Sequence, residues 1–144
     1  MRGQCLCGRV VFEVVGKMPM VYQCHCSLCR KQSGSTASAG TAVPHADFRW
    51  LQGKELVSSW VKDSGFRSDF CSSCGSPVPN PLRDLAFMWV PAGLLEDDGR
   101  LAVGIHLFAG SRASWDAAPM SGIVHETAPE LHAFVELLQL GAKA

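Results

Sequence analysis

Short runs of apolar and β-branched residues, separated by turn-forming residues, recur along most of the chain. Eight of these runs have the length and composition of β-strands: 10–15, 20–24, 36–43, 48–51, 56–61, 66–70, 87–90 and 103–109. Glycine, proline and aspartate interrupt them, for example at Gly16, Pro44 and Gly53. Because the connections are short, the pattern predicts a mostly β domain with antiparallel strand pairing.

The pattern changes near the C-terminus, where apolar residues recur with helical spacing. We expect a helix over 127–140, with Thr127 as its N-cap, Pro129 in its first turn and Gly141 at its end. The stripe that would face the core follows the i, i+3, i+4, i+7 spacing: Leu131, Phe134, Val135 and Leu138. The ordinary role of such a stripe is core packing.

Composition places the chain among folded globular proteins and limits its partners. Of the 144 residues, 47% are apolar and 18% are charged, so we expect a single domain over 1–144. The 13 basic residues balance the 13 acidic ones, which argues against nucleic-acid binding. The N-terminal residues lack the apolar core of a secretory signal, and no apolar run reaches the roughly 18 residues of a membrane span. The sequence therefore predicts a cytoplasmic protein without membrane contact, and it predicts no particular oligomeric state.

The seven cysteines need an explanation in such a chain. An odd number and a reducing compartment both argue against a disulfide framework. The alternative is that they are buried thiols acting as small apolar residues. Scattered core cysteines would not cluster at metal-ligand spacings, as these do, and we therefore interpret them as metal ligands.

Two cysteine pairs far apart in the sequence have the spacing of one closed zinc site. Cys5 and Cys7 form a C-x-C-G motif, and residues two apart in an extended chain project to the same face. Cys71 and Cys74 form a C-x-x-C-G motif, in which a turn brings two sulfurs together and the glycine accepts a positive φ. Four thiolates make a tetrahedral structural zinc site, which would tie the N-terminal strand to the middle of the domain.

The other three cysteines, Cys24, Cys26 and Cys29, lie close together in the sequence. If this segment is extended, Cys24 and Cys26 share a face and His25 points to the opposite one, which makes His25 a poor ligand for the same ion. Zinc with three protein ligands keeps a position for water or substrate, as catalytic sites do. We favour this open site. The alternative is a second structural zinc completed by a distant aspartate or histidine: His45, His106 or His125.

Three motifs in a fixed order resemble one known family. They are G-x-C-x-C-G-x-V at 3–10, C-H-C-x-x-C-R at 24–30 and F-C-x-x-C-G-x-P at 70–77. Shorter matches lie at 43–48 and 111–115, so the similarity covers about residues 3–115. The ordered set of cysteines is specific, and the chain resembles the glutathione-dependent formaldehyde-activating enzymes, a family that also includes centromere protein V.

The resemblance implies a zinc-bearing β-tent fold and two zinc ions per chain. Cys5, Cys7, Cys71 and Cys74 would hold a structural zinc, and the zinc associated with activity would be held by Cys24, Cys26 and Cys29. The implied reaction joins glutathione and formaldehyde into S-(hydroxymethyl)glutathione, a carbon–sulfur lyase reaction in its reverse sense. The implied partners are a small thiol such as glutathione and a small aldehyde.

The general chemistry of zinc thiolate sites agrees with that implication. A thiol that enters the open position is deprotonated by the metal and can then attack a small carbonyl carbon. Arg30 and Lys31 directly follow the third cysteine, and either could bind a carboxylate of the thiol. Two alternatives to an enzyme remain: a zinc-stabilised protein-binding module with two structural zincs, and a thiol-based zinc or redox sensor.

Overall fold

The computed structural model describes residues 1–142, which fold as short strands with two α-helices. The strands are β1 (Arg2–Gln4), β2 (Val11–Val14), β3 (Val21–Cys24), β4 (Ser38–Pro44), β5 (Phe48–Gln52), β6 (Val57–Val61), β7 (Arg67–Cys71), β8 (Asn80–Pro81), β9 (Phe87–Pro91), β10 (Val103–Leu107) and β11 (Ile123–Val124). The helices are α1 (Ser27–Ser33) and α2 (Leu131–Leu140). The end of the predicted domain, residues 143–144, lies outside the described residues.

The mostly β class is confirmed, and a strand overlaps each of the eight predicted runs. The observed ends agree with the predicted ones within two residues. The apolar pattern misses β1, β8 and β11, which contain 3, 2 and 2 residues. Strands of this length are too short to show a periodicity of their own, so their pairing partners alone define them.

The strands form three sheets. A three-stranded sheet has the order β1-β2-β5, a six-stranded sheet has the order β11-β10-β3-β4-β9-β8, and β6 and β7 form a separate hairpin. β10 pairs in parallel with β3 and β11, whereas the other pairings between these strands are antiparallel. The antiparallel expectation holds where connections are short. β10 departs from it because the long chain between β3 and β10 allows the two strands to run in the same direction.

The six-stranded sheet lies between two apolar layers. On one face, Val43 and Val90 pack against Phe12 of the three-stranded sheet. On the other face, Ala42 belongs to the layer that contains Leu138 of α2. The neighbours Ala42 and Val43 thus lie in opposite layers, as the two-residue period of a strand requires.

The predicted C-terminal helix is present as α2, but it begins at Leu131 rather than at residue 127. Glu130 caps it, because its carboxylate accepts hydrogen bonds from the N–H groups of His132 and Ala133, at 2.9 and 3.2 Å. The carbonyl of Thr127, the predicted cap, instead accepts a hydrogen bond from the N–H of Phe108 at 2.8 Å. That pairing keeps the chain before α2 out of the helix. Neither helix within residues 1–142 has the length and apolar character needed to cross a bilayer.

The sequence pattern does not predict α1, which has no buried residue and therefore no apolar stripe. Its N-cap is Cys26, whose sulfur accepts a hydrogen bond from the N–H of Cys29, and its C-cap is Gly34 with a φ of 64°. The strand β3 ends at Cys24, but the extended geometry expected for this segment is still present at Cys26, which has a φ of -65° and a ψ of 158°. From there the chain turns into the helix.

Candidate metal centres and the adjoining cavity

The four-cysteine cluster joins the segment after β1 to the end of β7. Cys5 and Cys7 follow β1, Cys71 is the last residue of β7, and Cys74 lies in the turn after it. All four sulfur atoms lie within 4.8 Å of one another. Cys5 and Cys71 are buried, Cys74 is half-buried and Cys7 is exposed. The structure therefore brings the two distant motifs together as one group.

Two glycines turn the chain back at this cluster. Gly8 and Gly75 have φ angles of 72° and 75°, in the left-handed region that glycine adopts without steric cost. Their N–H groups donate to the carbonyls of Cys5 and Cys71, at 2.9 and 2.8 Å. Each cysteine pair is thus held by a tight turn that fixes where its sulfurs point.

The sulfur spacing of this cluster fits a tetrahedral zinc ion. Zn–S bonds of ~2.3 Å at tetrahedral angles place two sulfurs about 3.8 Å apart. Cys7 Sγ lies 3.5 Å from Cys5 Sγ and 3.9 Å from Cys71 Sγ. The Ser76 hydroxyl, 3.4 Å from Cys74 Sγ, is the main cause that lowers the pKa of Cys74 to about 6. A lowered pKa favours the thiolate that binds metal.

The three-cysteine cluster forms where β3 leads into α1. Cys24 ends β3, Cys26 caps α1 and Cys29 lies in its first turn, and their sulfur atoms lie within 4.8 Å of one another. Hydrogen bonds from the side chains of Cys24 and Cys29 hold the pKa of Cys26 far below its usual value, at about 2. The contact with Cys26 in turn raises the pKa of Cys24 to about 11. The cluster thus stabilises one thiolate unaided, and a bound cation would favour loss of the other two protons.

His25 points away from this cluster into a buried polar pair. Its Nε2 lies 3.0 Å from Nδ1 of His106, and both imidazoles are buried. Its Nδ1 lies 3.9 Å from the Asp116 carboxylate. Within residues 1–142, no histidine, aspartate or glutamate joins either cysteine cluster. The geometry therefore offers three protein ligands at the second cluster, without His45, His106 or His125.

A cavity of about 440 Å³ adjoins the three-cysteine cluster. All three cysteines of this cluster line the cavity, whereas none of the four in the other cluster does. Most of the remaining wall is apolar or aromatic and comes from the six-stranded sheet, from α2 and from the tip of the β6–β7 hairpin. These residues include Tyr22, Phe66, Leu82, Trp89, Leu107, Phe108, Leu131 and Phe134. A ligand in the cavity would consequently lie beside Cys24, Cys26 and Cys29.

Tyr22 is a cavity residue that the cysteine motifs do not identify. It lies two residues before Cys24 on β3, so both side chains project from the same face of the strand. Its ring packs edge-on against Phe134, with centroids 4.9 Å apart. Burial, followed by charge on Cys29 and Cys24, raises the pKa of the Tyr22 hydroxyl, which therefore keeps its proton at neutral pH. The i, i+2 relation to Cys24 is a signal in the sequence that could have revealed it.

Arg30 and Lys31, the predicted substrate-binding residues, do not line the cavity. Arg30 donates through Nε to the carbonyl of His25 at 3.3 Å, and Lys31 is exposed. The cationic residues on the cavity wall are instead Arg67 and Arg83. Nothing in the local sequence indicates this, because the hairpin and the turn that carry them meet the cluster only in the folded chain.

Comparison with known families agrees with the arrangement of the cysteines. The profile of the family described as "Glutathione-dependent formaldehyde-activating enzyme" matches residues 1–111. The matched range contains all seven cysteines and ends before α2. The family pattern thus covers both clusters and most of the cavity wall, but not the helix that closes one side of it.

Individual relatives extend this comparison. A Halomonas elongata protein, named provisionally as a glutathione-dependent formaldehyde-activating enzyme, is 35% identical in an alignment 84 residues long that covers 54% of this chain and 54% of that protein. The chain therefore spans about half the length of this curated relative. A crystal structure of a Rhodobacter sphaeroides protein matches with a TM-score of 0.55, covering 67% of this chain and 88% of that one at 24% identity. At such low identity the likeness shows the fold alone.

Proposed function

The chain belongs to the family of glutathione-dependent formaldehyde-activating enzymes, and we propose that it is a zinc-dependent carbon–sulfur lyase acting on a small thiol adduct. One observation carries this proposal: the three-cysteine cluster lies on the wall of a ligand-sized cavity, and the four-cysteine cluster does not. The substrates would be a small thiol of the glutathione kind and formaldehyde or another small aldehyde.

On this proposal the two clusters hold zinc in different roles. Cys5, Cys7, Cys71 and Cys74 supply a complete set of four ligands and bind a structural ion. The three-cysteine cluster supplies only three ligands, and all three line the cavity, so an ion held there would keep one position for a ligand. Zinc bound there would supply one piece of chemistry, by keeping a substrate sulfur as its nucleophilic thiolate near neutral pH.

The proposed reaction forms one bond and moves one proton. The thiolate sulfur attacks the carbonyl carbon, and the π electron pair of the carbonyl moves to its oxygen. That oxygen takes up a proton, which balances the proton lost by the thiol. In the lyase direction the oxygen loses its proton, the carbon–sulfur bond breaks, and its electron pair returns to sulfur as the aldehyde leaves.

Tyr22 is our candidate for the proton donor to that oxygen. Its hydroxyl is protonated at neutral pH, and its side chain lies on the cavity wall on the same strand face as Cys24. A positioned phenol can stabilise a developing alkoxide by donating a hydrogen bond and then the proton. Substrate binding by Arg30 and Lys31 stays a prediction from the sequence, and neither residue lines the cavity.

The cytoplasmic location predicted from the sequence remains part of this proposal. All seven cysteines are free in the structure. Thiols at metal-ligand spacing persist in reducing compartments, where disulfides are rare.

Protein produced with adequate zinc should contain about two zinc ions per chain, because the cysteines divide into a group of four and a group of three. Elemental analysis against protein concentration from amino-acid analysis measures this ratio. Cys29→Ala should lower the ratio towards one, since the second cluster then keeps only two thiolates. A fully loaded wild-type preparation with a single ion would contradict the two-site division.

Glutathione should perturb only one of the two metal sites. In the cobalt-substituted protein, the thiolate charge-transfer absorption of the three-cysteine site should shift when thiol is added, because that site alone faces the cavity. The four-cysteine absorption should stay unchanged, and Cys29→Ala should remove the thiol-sensitive band. If neither glutathione nor any other low-molecular-weight thiol shifts a band, the alternative of a binding module with two structural metals is favoured.

A further inference from the structure

In the described part of the chain, the cavity wall combines a large apolar surface with basic side chains but no acidic ones. Beyond the three cysteines it is mainly apolar, with leucine and phenylalanine side chains from the hairpin, the six-stranded sheet and α2. Among the described residues that line it, none is acidic. A ligand ammonium group buried here would find no carboxylate to pair with, and burying an unpaired charge is costly.

The two arginines on the wall, Arg67 and Arg83, differ in how many hydrogen bonds their guanidinium groups already donate within the protein. Arg67 donates from Nε and Nη2 to the two carboxylate oxygens of Asp69, at 2.8 and 3.1 Å, and from Nη2 to the Ser59 hydroxyl at 3.0 Å. Arg83 donates only from Nη1 to the carbonyl of Ser64, at a long 3.4 Å. No ion pair in residues 1–142 includes Arg83. Most of its guanidinium donors are therefore left for a ligand.

The backbone at Arg83 holds this guanidinium over the cavity. Its φ of 52° lies in the left-handed region, which is unfavourable for a residue with a Cβ atom. The turn is fixed by hydrogen bonds from Arg83 N–H to the Pro81 carbonyl and from Leu85 N–H to the Leu82 carbonyl, both at 3.1 Å. The guanidinium lies against Gly65 at the hairpin tip, where an added Cβ would come within 2.5 Å of Nη1. The turn at Arg83 and the tip of the β6–β7 hairpin, which are distant in sequence, thus place the unpaired guanidinium of Arg83 beside the apolar cavity.

We propose that the thiol accepted by this cavity has an apolar body and a single carboxylate, and that Arg83 binds the carboxylate. The part of this inference that places the ligand's sulfur at the three-cysteine cluster rests on the function proposed above. Glutathione carries two carboxylates and an ammonium group. Only one of the two carboxylates would find an unpaired guanidinium on the wall, because Arg67 is engaged by Asp69, and the ammonium group would find no carboxylate among the described residues there. A thiol with an apolar chain between its sulfur and one carboxylate matches the cysteine cluster, the apolar wall and the free guanidinium together.

Calorimetric titration of the zinc-loaded protein with matched thiols tests this assignment. The probes are 3-mercaptopropionate and 6-mercaptohexanoate, each beside the alcohol of the same chain length, together with glutathione. The better-fitting carboxylate should bind about tenfold more tightly than its alcohol and than glutathione, the gain typical of one charge-assisted hydrogen-bond pair. Arg83→Gln should remove the difference between carboxylate and alcohol, and Arg83→Lys should retain part of it. Lys62→Gln, which removes an exposed cation of the same hairpin that does not line the cavity, should leave the difference unchanged.

The outcomes separate this inference from the proposed function. If alcohols and carboxylates bind equally to the wild type, or if glutathione binds most tightly, the single-carboxylate class is wrong while the thiol site stands. If Arg83→Gln weakens both kinds of thiol by the same factor, Arg83 supports the hairpin rather than the ligand, and the assignment is overturned. If no thiol binds at all, the proposed function fails and this inference fails with it.

Discussion

Cys74→Ala should unfold or aggregate the protein at temperatures at which Cys29→Ala remains folded. A structural zinc contributes apparent binding free energy of ~10–16 kcal/mol, whereas a whole domain is stable by only ~5–15 kcal/mol. Losing one of four ligands at the closed cluster therefore threatens the entire fold. Thermal melting followed by circular dichroism, in buffer with zinc, measures the difference.

The position of the four-cysteine cluster explains why this effect should be large. Cys5 and Cys71 are buried in a small apolar core with Val10 and Val78, which joins the N-terminal segment to the β6–β7 hairpin. The hairpin forms its own two-stranded sheet, so the cluster is a major tie between it and the first strands. Without the metal, the four sulfurs would either be thiolates that repel one another at close range or thiols that keep their protons.

Cys29 has a different position, in a short helix with no buried residue. Its removal takes one ligand from a site that, on our proposal, exchanges ligands during the reaction. The melting temperature should therefore fall modestly, while thiol-dependent activity disappears. Ser72→Ala is the matched control, because Ser72 lies exposed in the same turn as Cys74 and is not a ligand. If Cys74→Ala and Cys29→Ala lower the melting temperature equally and severely, the second ion is structural too. If both variants stay folded, the division of the cysteines into a structural group of four and a catalytic group of three is wrong.

The parts of this molecule that the sequence reveals are those encoded locally. Each of the eight predicted strands carries its own apolar pattern, and the C-x-C-G and C-x-x-C-G motifs fix sulfur positions within one turn. α1 is not evident in the sequence because none of its seven residues is fully buried, so no apolar stripe with a helical period marks it. The cap of α2 is misplaced for a related reason: the backbone pairing of Thr127 with Phe108 is a long-range contact.

The cavity could be predicted only in part. Its cysteines follow from spacing, and Tyr22 could have been found from its i, i+2 relation to Cys24. Arg83 could not, because its contact with the hairpin tip joins residues 64 and 83 across a turn with an unfavourable φ. The basic residues nearest to the cluster in sequence, Arg30 and Lys31, are not among the residues that line the cavity. Their role in substrate binding stays a prediction from the sequence.

The hydroxyl of Tyr22 should account for a large share of any catalysed rate. Tyr22→Phe should lower the enzyme-catalysed exchange between aldehyde, thiol and adduct by about a hundredfold to ten-thousandfold, the usual contribution of a positioned acid or base. Exchange spectroscopy by NMR measures this rate above the spontaneous one. The substitution keeps the ring that packs against Phe134, so the fold and the thiol-sensitive cobalt band should remain.

A further variant distinguishes a proton donor from a packing residue. Phe134→Leu disturbs the same aromatic contact but keeps the hydroxyl, and it should reduce stability more than the catalysed rate. If Tyr22→Phe leaves the rate unchanged while thiol still binds, the oxygen receives its proton from another source and Tyr22 acts only in packing.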